Sequence, residues 1–434
     1  MPNVVKRHVL VIAYYFPPMG LSGVQRIAKL VKYLPENGWR ITVLTPDTAS
    51  YFAFDDGLLE ELTANPDISI VRTSSLDPTR FGKSNKQKTV SFPEERSRRF
   101  LSSLSQWTLL PDNKIGWKRF AMKAARQIFK QDPFDLVYAT APPYTCLMIG
   151  AAIARREQLP LIVDYRDDWV DNPRHTYPTY WHRKLTARME HKVLEECVHV
   201  FSINETIMRA IQLRNPQATC SYSVVPQGYD PADFDHIQDQ NPQAGDPSVM
   251  TFLYAGMFYD AQQPDTFLTA VRVLHERRPE LKRRIKLKFV GLFPESKKIL
   301  IQQLSLENNT ELMGYLDHSD ATKQLAKADV AWMIIGHQTG EEMISTGKLF
   351  EYMGSQKPIL ALVPNGEAKR ALEGYDAATL VDPDDVEAIS VAIEELYDRW
   401  QSHSLPMASA EHVKQFDRKV QASIIASEFA SKIS

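Results

Sequence analysis

The sequence predicts its own fold most clearly in residues 8–46, HVLVIAYYFPPMGLSGVQRIAKLVKYLPENGWRITVLTP. A continuous apolar run at 8–16 predicts a buried strand, and apolar residues at helical spacing within 24–38 predict a helix after it. A second apolar run follows at 40–46. A strand, a helix and a second strand in this order predict a βαβ unit, whose two strands are parallel.

The same alternation of strands and helices continues along the chain and is interrupted once. Residues 226–248 are rich in Pro, Gly, Asp and Gln, a composition typical of a linker. Strand-like runs resume at 250–256. The sequence therefore predicts an α/β protein with two Rossmann-like domains. The predicted boundaries are an N-terminal domain at 1–226, a linker at 227–249, a second domain at 250–395 and a C-terminal helical segment at 396–434.

The composition is that of a globular protein large enough for two domains. The chain has 434 residues, of which 44% are hydrophobic and 24% charged, and its net charge is −2. These values exclude collagen-like, coiled-coil and largely disordered chains. The overall charge does not favour a protein that binds nucleic acid. The three cysteines lack metal-ligand spacing and are interpreted as reduced thiols of a cytoplasmic protein.

One segment, residues 80–130, departs from the balanced charge. It contains thirteen Lys or Arg residues against three Asp or Glu residues, with aromatic residues between them. This pattern predicts peripheral contact with an anionic membrane. A solvated helical face over core aromatic residues explains the pattern equally well. No recognised nucleic-acid-binding motif accompanies the charge.

Ligands of an open parallel sheet bind beyond the carboxyl ends of its strands, so the loop after the first strand is a candidate site. In this loop, residues 16–26, Gly20 and Gly23 precede a helix. The N-terminus of a helix favours an anion such as a diphosphate. A turn that needs glycine for its backbone conformation is the alternative interpretation.

A second candidate site lies at STGKLFEYMGSQKPIL, residues 345–360. Lys348 and Glu351 are three residues apart and share a face if the segment is helical. The cation is suited to a phosphate group, and the carboxylate can accept hydrogen bonds from two sugar hydroxyls. By spacing alone, an ordinary ion pair on the helix surface is the better explanation of the two residues.

Taken together, eight blocks of the chain resemble the bacterial family 4 glycosyltransferases of the two-domain GT-B type, most of all a subgroup of extracellular polysaccharide biosynthesis. The resemblance covers nearly the full length and follows the order of the family. Its blocks are residues 14–46, 110–119, 138–145, 161–173, 223–234, 252–258, 313–320 and 346–360. It implies two Rossmann-like domains that face each other across a cleft, with C-terminal helices that pack back on the N-terminal domain.

The resemblance also implies which residues bind the donor. Glu351 matches the second glutamate of the family's E-x7-E motif, which contacts the nucleotide ribose, and Lys348 is implied to contact the donor phosphate. Gly23 would let the backbone approach the diphosphate. The implied set is completed by residues around the donor and its nucleobase: Gly256, Gly314, Tyr315, Leu316 and Gly347.

For the chemical step, the resemblance points to Arg166 and Asp167. Arg166 stands where many relatives carry a histidine near the donor sugar, and Asp167 is implied to act as a base or to orient Arg166. A salt bridge to Arg166 or a helix-capping role explains Asp167 equally well. Two departures from the family are Met343, in place of the first glutamate, and Met257, in place of an arginine. We expect Arg166 and Lys348 to compensate for them.

The implied activity is transfer of a sugar from a nucleotide-sugar to a glycan or to an acceptor carried on a polyprenyl diphosphate. The resemblance implies retention of anomeric configuration, no metal and no cofactor, in the cytoplasm or at the inner face of the plasma membrane. The D-P-D sequence at 382–384 is interpreted as a helix cap at Asp382 rather than a metal site. A silent scaffold of a polysaccharide assembly complex and a nucleotide-sugar epimerase are the alternative functions.

Overall fold

The computed structural model divides the chain into two compact units. Unit 1 comprises residues 1–226 and 419–434, and unit 2 comprises residues 227–418. The structure describes residues 6–20, 22–47, 54–76, 107, 109–173, 175, 177–234 and 248–433. Most of the predicted membrane segment (80–106 and 108) and of the predicted linker (235–247) lies outside these described residues.

The described part of unit 1 contains a parallel sheet of seven strands. The strands run in the order β3-β2-β1-β4-β5-β6-β7. Val9 of the first strand lies opposite both Ile41 and Leu136, so the chain reverses its direction of winding between β1 and β4. The strands are β1 (Arg7–Ile12), β2 (Trp39–Pro46), β3 (Ile68–Thr73), β4 (Leu136–Ala141), β5 (Leu161–Tyr165), β6 (Cys197–Ser202) and β7 (Ser221–Val224).

Helices connect these strands and cover the sheet. The central strands are buried along nearly their whole length, as parallel strands covered on both faces must be. The helices are α1 (Ser22–Tyr33), α2 (Asp56–Thr63), α3 (Lys118–Gln131), α4 (Thr145–Glu157), α5 (Tyr180–Leu194) and α6 (Glu205–Arg214).

Unit 2 repeats the architecture with six described parallel strands. Their order is β10-β9-β8-β11-β12-β13, so the chain reverses its winding between β8 and β11. Ala331 lies opposite Leu253 on one side and Ile359 on the other. The strands are β8 (Met250–Ala255), β9 (Ile285–Val290), β10 (Thr310–Gly314), β11 (Val330–Ile334), β12 (Ile359–Leu362) and β13 (Ala378–Val381).

The helices of unit 2 alternate with its strands as the sequence predicts. They are α7 (Asp265–Arg277), α8 (Glu295–Gln303), α9 (His318–Lys327), α10 (Gly347–Gly354), α11 (Glu367–Leu372), α12 (Val386–Gln401) and α13 (Ala410–Lys414). No helix within the described ranges combines the length and the apolar character needed to cross a bilayer.

The last helix, α14 (Arg418–Ser431), returns to unit 1, and the expected packing of the C-terminal helix is confirmed. Ile425 and Phe429 are buried in the same apolar cluster as Val9 and Trp39. The Phe429 ring lies 5.3 Å from the Trp39 ring, edge to face. Burial of these apolar side chains against the first two strands therefore holds the end of the chain on unit 1.

Two sequence expectations near residue 385 need correction. Helix α12 (Val386–Gln401) runs across the boundary that the sequence places after residue 395. The carboxylate that caps this helix belongs to Asp385, which accepts from the N–H of Ala388, and not to Asp382. Asp382 accepts a hydrogen bond from the N–H of Asp384 and lies against His337 instead.

Candidate functional site

The candidate donor site of unit 2 lies where β8 and β11 separate, at the carboxyl edge of the sheet. Helix α10 begins there, and its Tyr352 hydroxyl accepts a hydrogen bond of 2.7 Å from the N–H of Ala255 at the end of β8. This bond fixes α10 against the strand end. The site thus occupies the position where doubly wound sheets bind their ligands.

Lys348 is held on an aromatic surface at this edge. Its ammonium donates a hydrogen bond to the Tyr254 hydroxyl and lies 4.1 Å from the centre of the Tyr254 ring. Tyr254 is fully buried and stacks on Phe258. Burial lowers the pKa of Lys348 to about 7, against the opposing effect of the Glu351 carboxylate. In the described structure no carboxylate is bonded to Lys348, and a bound diphosphate would place negative charge directly against its ammonium.

Glu351 lies one turn further along α10 and is half-buried. Among the described residues, no hydrogen bond or ion pair engages its carboxylate, and none joins it to Lys348. Lys348 and Glu351 therefore do not form the ordinary i,i+3 ion pair on the helix surface. Both carboxylate oxygens can accept hydrogen bonds from a ligand.

The N-terminus of α10 is also open. Thr346 precedes the helix without a side-chain capping bond, and its buried hydroxyl has no partner in the described structure. A Cβ added at Gly347 would meet nothing within 4 Å, and the φ of Gly347 lies outside the left-handed region. Backbone N–H groups at this end are therefore available to an anion.

Three glycines end three neighbouring strands of unit 2. Gly256, Gly291 and Gly314 have φ of +136°, +123° and +71°, a region that favours glycine. The N–H of Gly256 donates to Val290, and the N–H of Gly291 donates to Gly314 at 2.7 Å. Gly256 and Gly314 are among the predicted donor residues, and Gly291 is not. Its position directly after the apolar run at 285–290 could have indicated a glycine at the end of a strand.

Alanine substitutions at two glycines are expected to change stability in opposite directions. In Gly291→Ala the new Cβ overlaps the carbonyl oxygen of Gly256 at a φ of +123°, so the free energy of unfolding should fall by about 2–4 kcal/mol. Gly347→Ala enters open space in a helix, where alanine stabilises by up to about 1 kcal/mol. Thermal unfolding measures both, and a lower Tm for Gly347→Ala would contradict this prediction.

The other predicted donor residues follow β10. Tyr315 is 40% exposed, and Leu316 packs partly buried against an apolar cluster. The carbonyl of Gly314 accepts a hydrogen bond from the N–H of Gly291. A Cβ added at Gly291 would overlap the carbonyl oxygen of Gly256. The three strand ends therefore form one continuous edge that leads from Tyr315 to Lys348.

The loop between β11 and α10 contains Met343, the position of the missing family glutamate, and two residues that were not predicted, His337 and Glu341. Met343 lies in a short 3-10 turn, Glu341–Met343. The carboxylate of Glu341 accepts from the Gln338 N–H and bonds to the His337 ring at 2.9 Å. Hydrogen bonds to Glu341 and then to Asp382 raise the pKa of His337. Glu341 is therefore engaged inside its own loop.

Gln262 is a further residue that the sequence analysis missed. It lies in the loop between β8 and α7, is 1% exposed, and neither polar atom of its amide has a partner in the described structure. The adjacent Ala261 carbonyl packs against Gly336, where a Cβ would overlap it. A buried amide without hydrogen bonds is costly, and a bound ligand could satisfy it.

In unit 1, Gly23 lies in the first turn of α1. Its φ lies outside the left-handed region, and an added Cβ would meet nothing within 4 Å. The described structure therefore does not support the interpretation that the backbone or its packing requires glycine here. The open space next to the N-terminus of α1 is compatible with the predicted approach of a ligand.

Arg166 follows β5 and is bonded to backbone carbonyls. Its Nε donates to Ala141 at 3.1 Å, one terminal nitrogen donates to Pro142 at 2.5 Å, and the other donates to Gly23. These bonds use three of the five guanidinium N–H groups, and none goes to Asp167. Arg166 therefore holds the loop after β4 to the first turn of α1. This is a positioning role, and the catalytic role of Arg166 stays a prediction.

Beneath this loop lies an ion pair that sequence analysis did not identify. Asp164 and Arg26 are nearly fully buried, and two hydrogen bonds of 2.8 and 3.1 Å join them. Thr140 also donates to Asp164, and Arg26 donates to the carbonyl of Pro226. Burial opposes ionisation, but Arg26 lowers the pKa of Asp164 overall. The pair ties α1, β4 and β5 together.

Two family models match the chain, one in each unit. The model for the glycosyl transferase 4-like domain matches residues 23–228, and the model for glycosyl transferases group 1 matches residues 250–399. The chain belongs to the family 4-like glycosyltransferases of the GT-B type. It is a transferase of class EC 2.4. The search of curated protein sequences gave no match.

Solved structures share the fold of this glycosyltransferase. Sucrose-phosphate synthase from Thermosynechococcus elongatus has a TM-score of 0.63 at 13% identity and covers 98% of this chain and 99% of its own. Anabaena HepE in complex with UDP-glucose has a TM-score of 0.61 at 17% identity, and the match covers 98% of this chain and 99% of HepE. A trehalose-phosphate synthase from Burkholderia xenovorans has a TM-score of 0.59 at 11% identity, and the match covers 99% of this chain and 100% of the synthase.

The family assignment supports sugar transfer as the activity of this chain. The sequence expectation of two Rossmann-like units of GT-B type is confirmed by the two sheets and by the structural neighbours. The roles of individual site residues stay predictions.

Proposed function

We propose that this glycosyltransferase binds a nucleotide-sugar donor at the carboxyl edge of unit 2. The observation that carries the proposal is the placement of Lys348 and Glu351 on α10, beside the end of β8. The cation would contact the diphosphate, and the carboxylate would accept hydrogen bonds from the ribose hydroxyls. The UDP-glucose bound to Anabaena HepE supports a nucleotide-sugar donor.

The remaining donor residues would bind through their backbones. Gly347 at the N-terminus of α10 and Gly256 at the end of β8 leave room for the diphosphate. For Gly23, a contact with the diphosphate stays a prediction of the family resemblance. The segment Gly314-Tyr315-Leu316 would flank the nucleobase. An added Cβ at Gly256 would lie 3.1 Å from the Lys348 ammonium, so this glycine keeps the space around the lysine free.

In the transfer step, the bond between the anomeric carbon and the diphosphate oxygen breaks, and a bond to the acceptor oxygen forms. The acceptor hydroxyl loses its proton, and negative charge develops on the leaving diphosphate. Lys348 and the N–H groups of α10 would stabilise that charge without a metal or cofactor. Retention of configuration is part of the proposal. Asp167 remains the candidate base or orienting group, and Arg166 would position Gly23.

The acceptor that we propose is a glycan, free or carried on a polyprenyl diphosphate. The proposed location is the cytoplasm, or the inner face of the plasma membrane for an acceptor carried on a polyprenyl diphosphate. Contact of residues 80–130 with an anionic membrane belongs to the same proposal, and nucleic acid is not an expected partner. These statements rest on the family resemblance and on the basic composition of that segment.

Thermal unfolding in the presence of nucleotides tests the donor site. We expect one nucleoside diphosphate among UDP, GDP and dTDP, with its sugar conjugate, to stabilise the protein with or without chelator. At a hundred times its Kd, a ligand stabilises the fold by about 2.7 kcal/mol. Glu351→Ala should lose most of this shift, because it removes the acceptor of two hydroxyls. CMP serves as a monophosphate comparison.

Glu395→Ala is the matched control, since it removes an exposed glutamate from another helix of unit 2. It should keep the full nucleotide shift. Loss of the shift in both variants, or no stabilisation of the wild-type protein by any of these nucleotides, would refute the proposed donor site. Stabilisation that chelator abolishes would refute metal-independent binding.

A further inference from the structure

Helices α3, α4 and α5 lie side by side on unit 1 and enclose a surface groove of about 390 Å³. Its floor is apolar and includes Met148, Leu185 and Met189, with alanines and a valine between them. Basic side chains, among them Lys118, Arg155, Arg188 and Lys192, surround this floor. We call this feature the basic groove.

The helices around the basic groove carry a large excess of positive charge. Helix α3 contains five Lys or Arg residues and no acidic residue. Helix α5 contains four Lys or Arg residues and one acid, Glu190, which is buried and bonded to Arg214. Glu190 therefore does not neutralise the outer face.

The cations of the basic groove are only partly paired. Arg155 forms an ion pair with Glu196 at 2.7 Å. In the described structure, no carboxylate bonds to Lys118, Arg188 or Lys192. Burial and then the charge of Arg155 lower the pKa of Lys118. The electrostatic character of the groove thus suits anionic groups.

An apolar stripe continues from the groove along α5. Tyr180, Trp181 and Leu185 are 69%, 70% and 43% exposed, and the Lys184 ammonium lies 5.6 Å from the Trp181 ring. Residues 181, 185, 188 and 192 recur at intervals of three and four, so they share one helix face. Exposed aromatic residues next to Lys and Arg are typical of helices that lie at a membrane interface.

We propose that the basic groove and the exposed stripe of α5 form a docking surface for an anionic lipid bilayer. The cations would bind headgroup phosphates, and Trp181 and the apolar floor would enter the acyl boundary. A nucleic acid would match the charge but not the apolar floor, which has no polar group to read a base. Membrane contact was predicted for residues 80–130, which include α3 up to Lys130 but neither α4 nor α5.

Co-sedimentation of the full chain with vesicles tests this inference without any donor or acceptor. We expect binding to vesicles of equal parts phosphatidylcholine and phosphatidylglycerol to exceed binding to phosphatidylcholine alone by at least about tenfold. Binding should weaken as salt rises. Arg188→Gln with Lys192→Gln should reduce the partition coefficient by roughly fivefold per charge.

Lys282→Gln with Arg283→Gln is the matched control, because it removes two exposed charges from unit 2. This control should bind anionic vesicles like the wild-type protein. Trp181→Phe should keep most of the binding but lose the lipid-induced blue shift of tryptophan fluorescence, which reports insertion of this side chain.

Three outcomes would overturn the inference. They are equal binding to neutral and anionic vesicles, equal loss in the groove variant and its control, and a blue shift that persists in Trp181→Phe. Duplex DNA that competes with vesicles at comparable affinity would assign the surface to nucleic acid instead. The inference rests on the membrane contact included in the proposed function and assigns it to this face of unit 1. Nucleotide-dependent thermal shifts test sugar transfer separately, so the two can fail independently.

Discussion

Replacing Lys348 by methionine is expected to lower kcat/KM for sugar transfer by about a hundred- to a thousandfold, the usual effect of removing one group that stabilises transition-state charge. Methionine is one atom shorter, but its unbranched apolar side chain can still pack against the Tyr254 ring while it removes the positive charge. The fold should therefore survive. Steady-state kinetics with the donor that stabilises the protein, together with its Tm, measure both effects.

The pH dependence of nucleotide binding provides a second readout for the same residue. Because burial lowers the pKa of Lys348 to about 7, its charged fraction in the free protein falls about tenfold per pH unit above that value. A bound diphosphate favours the charged form. The Kd of the nucleoside diphosphate should therefore rise about tenfold per pH unit between roughly pH 7.5 and 9.5 in the wild-type protein.

The stability of the free protein should change with the opposite sign. A lysine whose folded pKa lies below its unfolded value carries fewer protons in the fold, so stability rises with pH between about 7 and about 10.4. Lys348→Met should lack both pH effects. Lys327→Met, an exposed lysine of α9, should retain them together with wild-type activity. Wild-type activity in Lys348→Met would remove this lysine from the mechanism.

Asp164→Asn is expected to destabilise unit 1 by about 3–5 kcal/mol, because it leaves the buried Arg26 guanidinium without its counter-charge. For a unit of this size, that loss corresponds to a fall in Tm of roughly 6–20 °C. The two residues are 5% and 1% exposed and 138 positions apart in the chain. Circular dichroism during heating measures the change.

An exposed pair of the same chemistry provides the control. Arg40 and Asp132 also form an ion pair, but their side chains are 39% and 46% exposed. Asp132→Asn should cost about 0–1 kcal/mol, since solvent screens both charges. Similar losses in the two Asp→Asn variants would show that burial does not set the energy of the Arg26–Asp164 pair.

Because the folded pKa of Asp164 lies below its ordinary value, the stabilisation from this pair is present above the unfolded pKa of about 3.9. It is lost as the pH falls through the folded pKa. Asp164→Asn removes that contribution, so the variant should lose less additional stability in acid than the wild-type protein.

The features that could be predicted are those carried by residues close together in the chain. Apolar runs and helical spacing within 8–46 predicted the first βαβ unit, and β1, α1 and β2 form there. Lys348 and Glu351 are three residues apart and were expected to share a face if their segment is helical, and they lie within α10. Each of these inferences uses only local periodicity, which backbone geometry imposes directly.

The features that could not be predicted join residues far apart in the chain. The Lys348 ammonium and the Tyr254 hydroxyl are separated by 94 positions. Arg166 has local signals of an active-site residue, but its bonds to the Gly23 and Ala141 carbonyls depend on how three loops pack. Helix capping was misassigned by three residues, because Asp382 and Asp385 are both suitable caps and only the fold decides which one has access.

The sequence by itself determined the succession of strands and helices, the break near residue 226 and the residue types suited to bind a nucleotide-sugar. The tertiary structure alone decided the strand orders and the surroundings of Lys348. The physical reason is that a periodic pattern specifies which face of an element is apolar. The pKa of a side chain and its partners depend instead on the groups that folding brings around it.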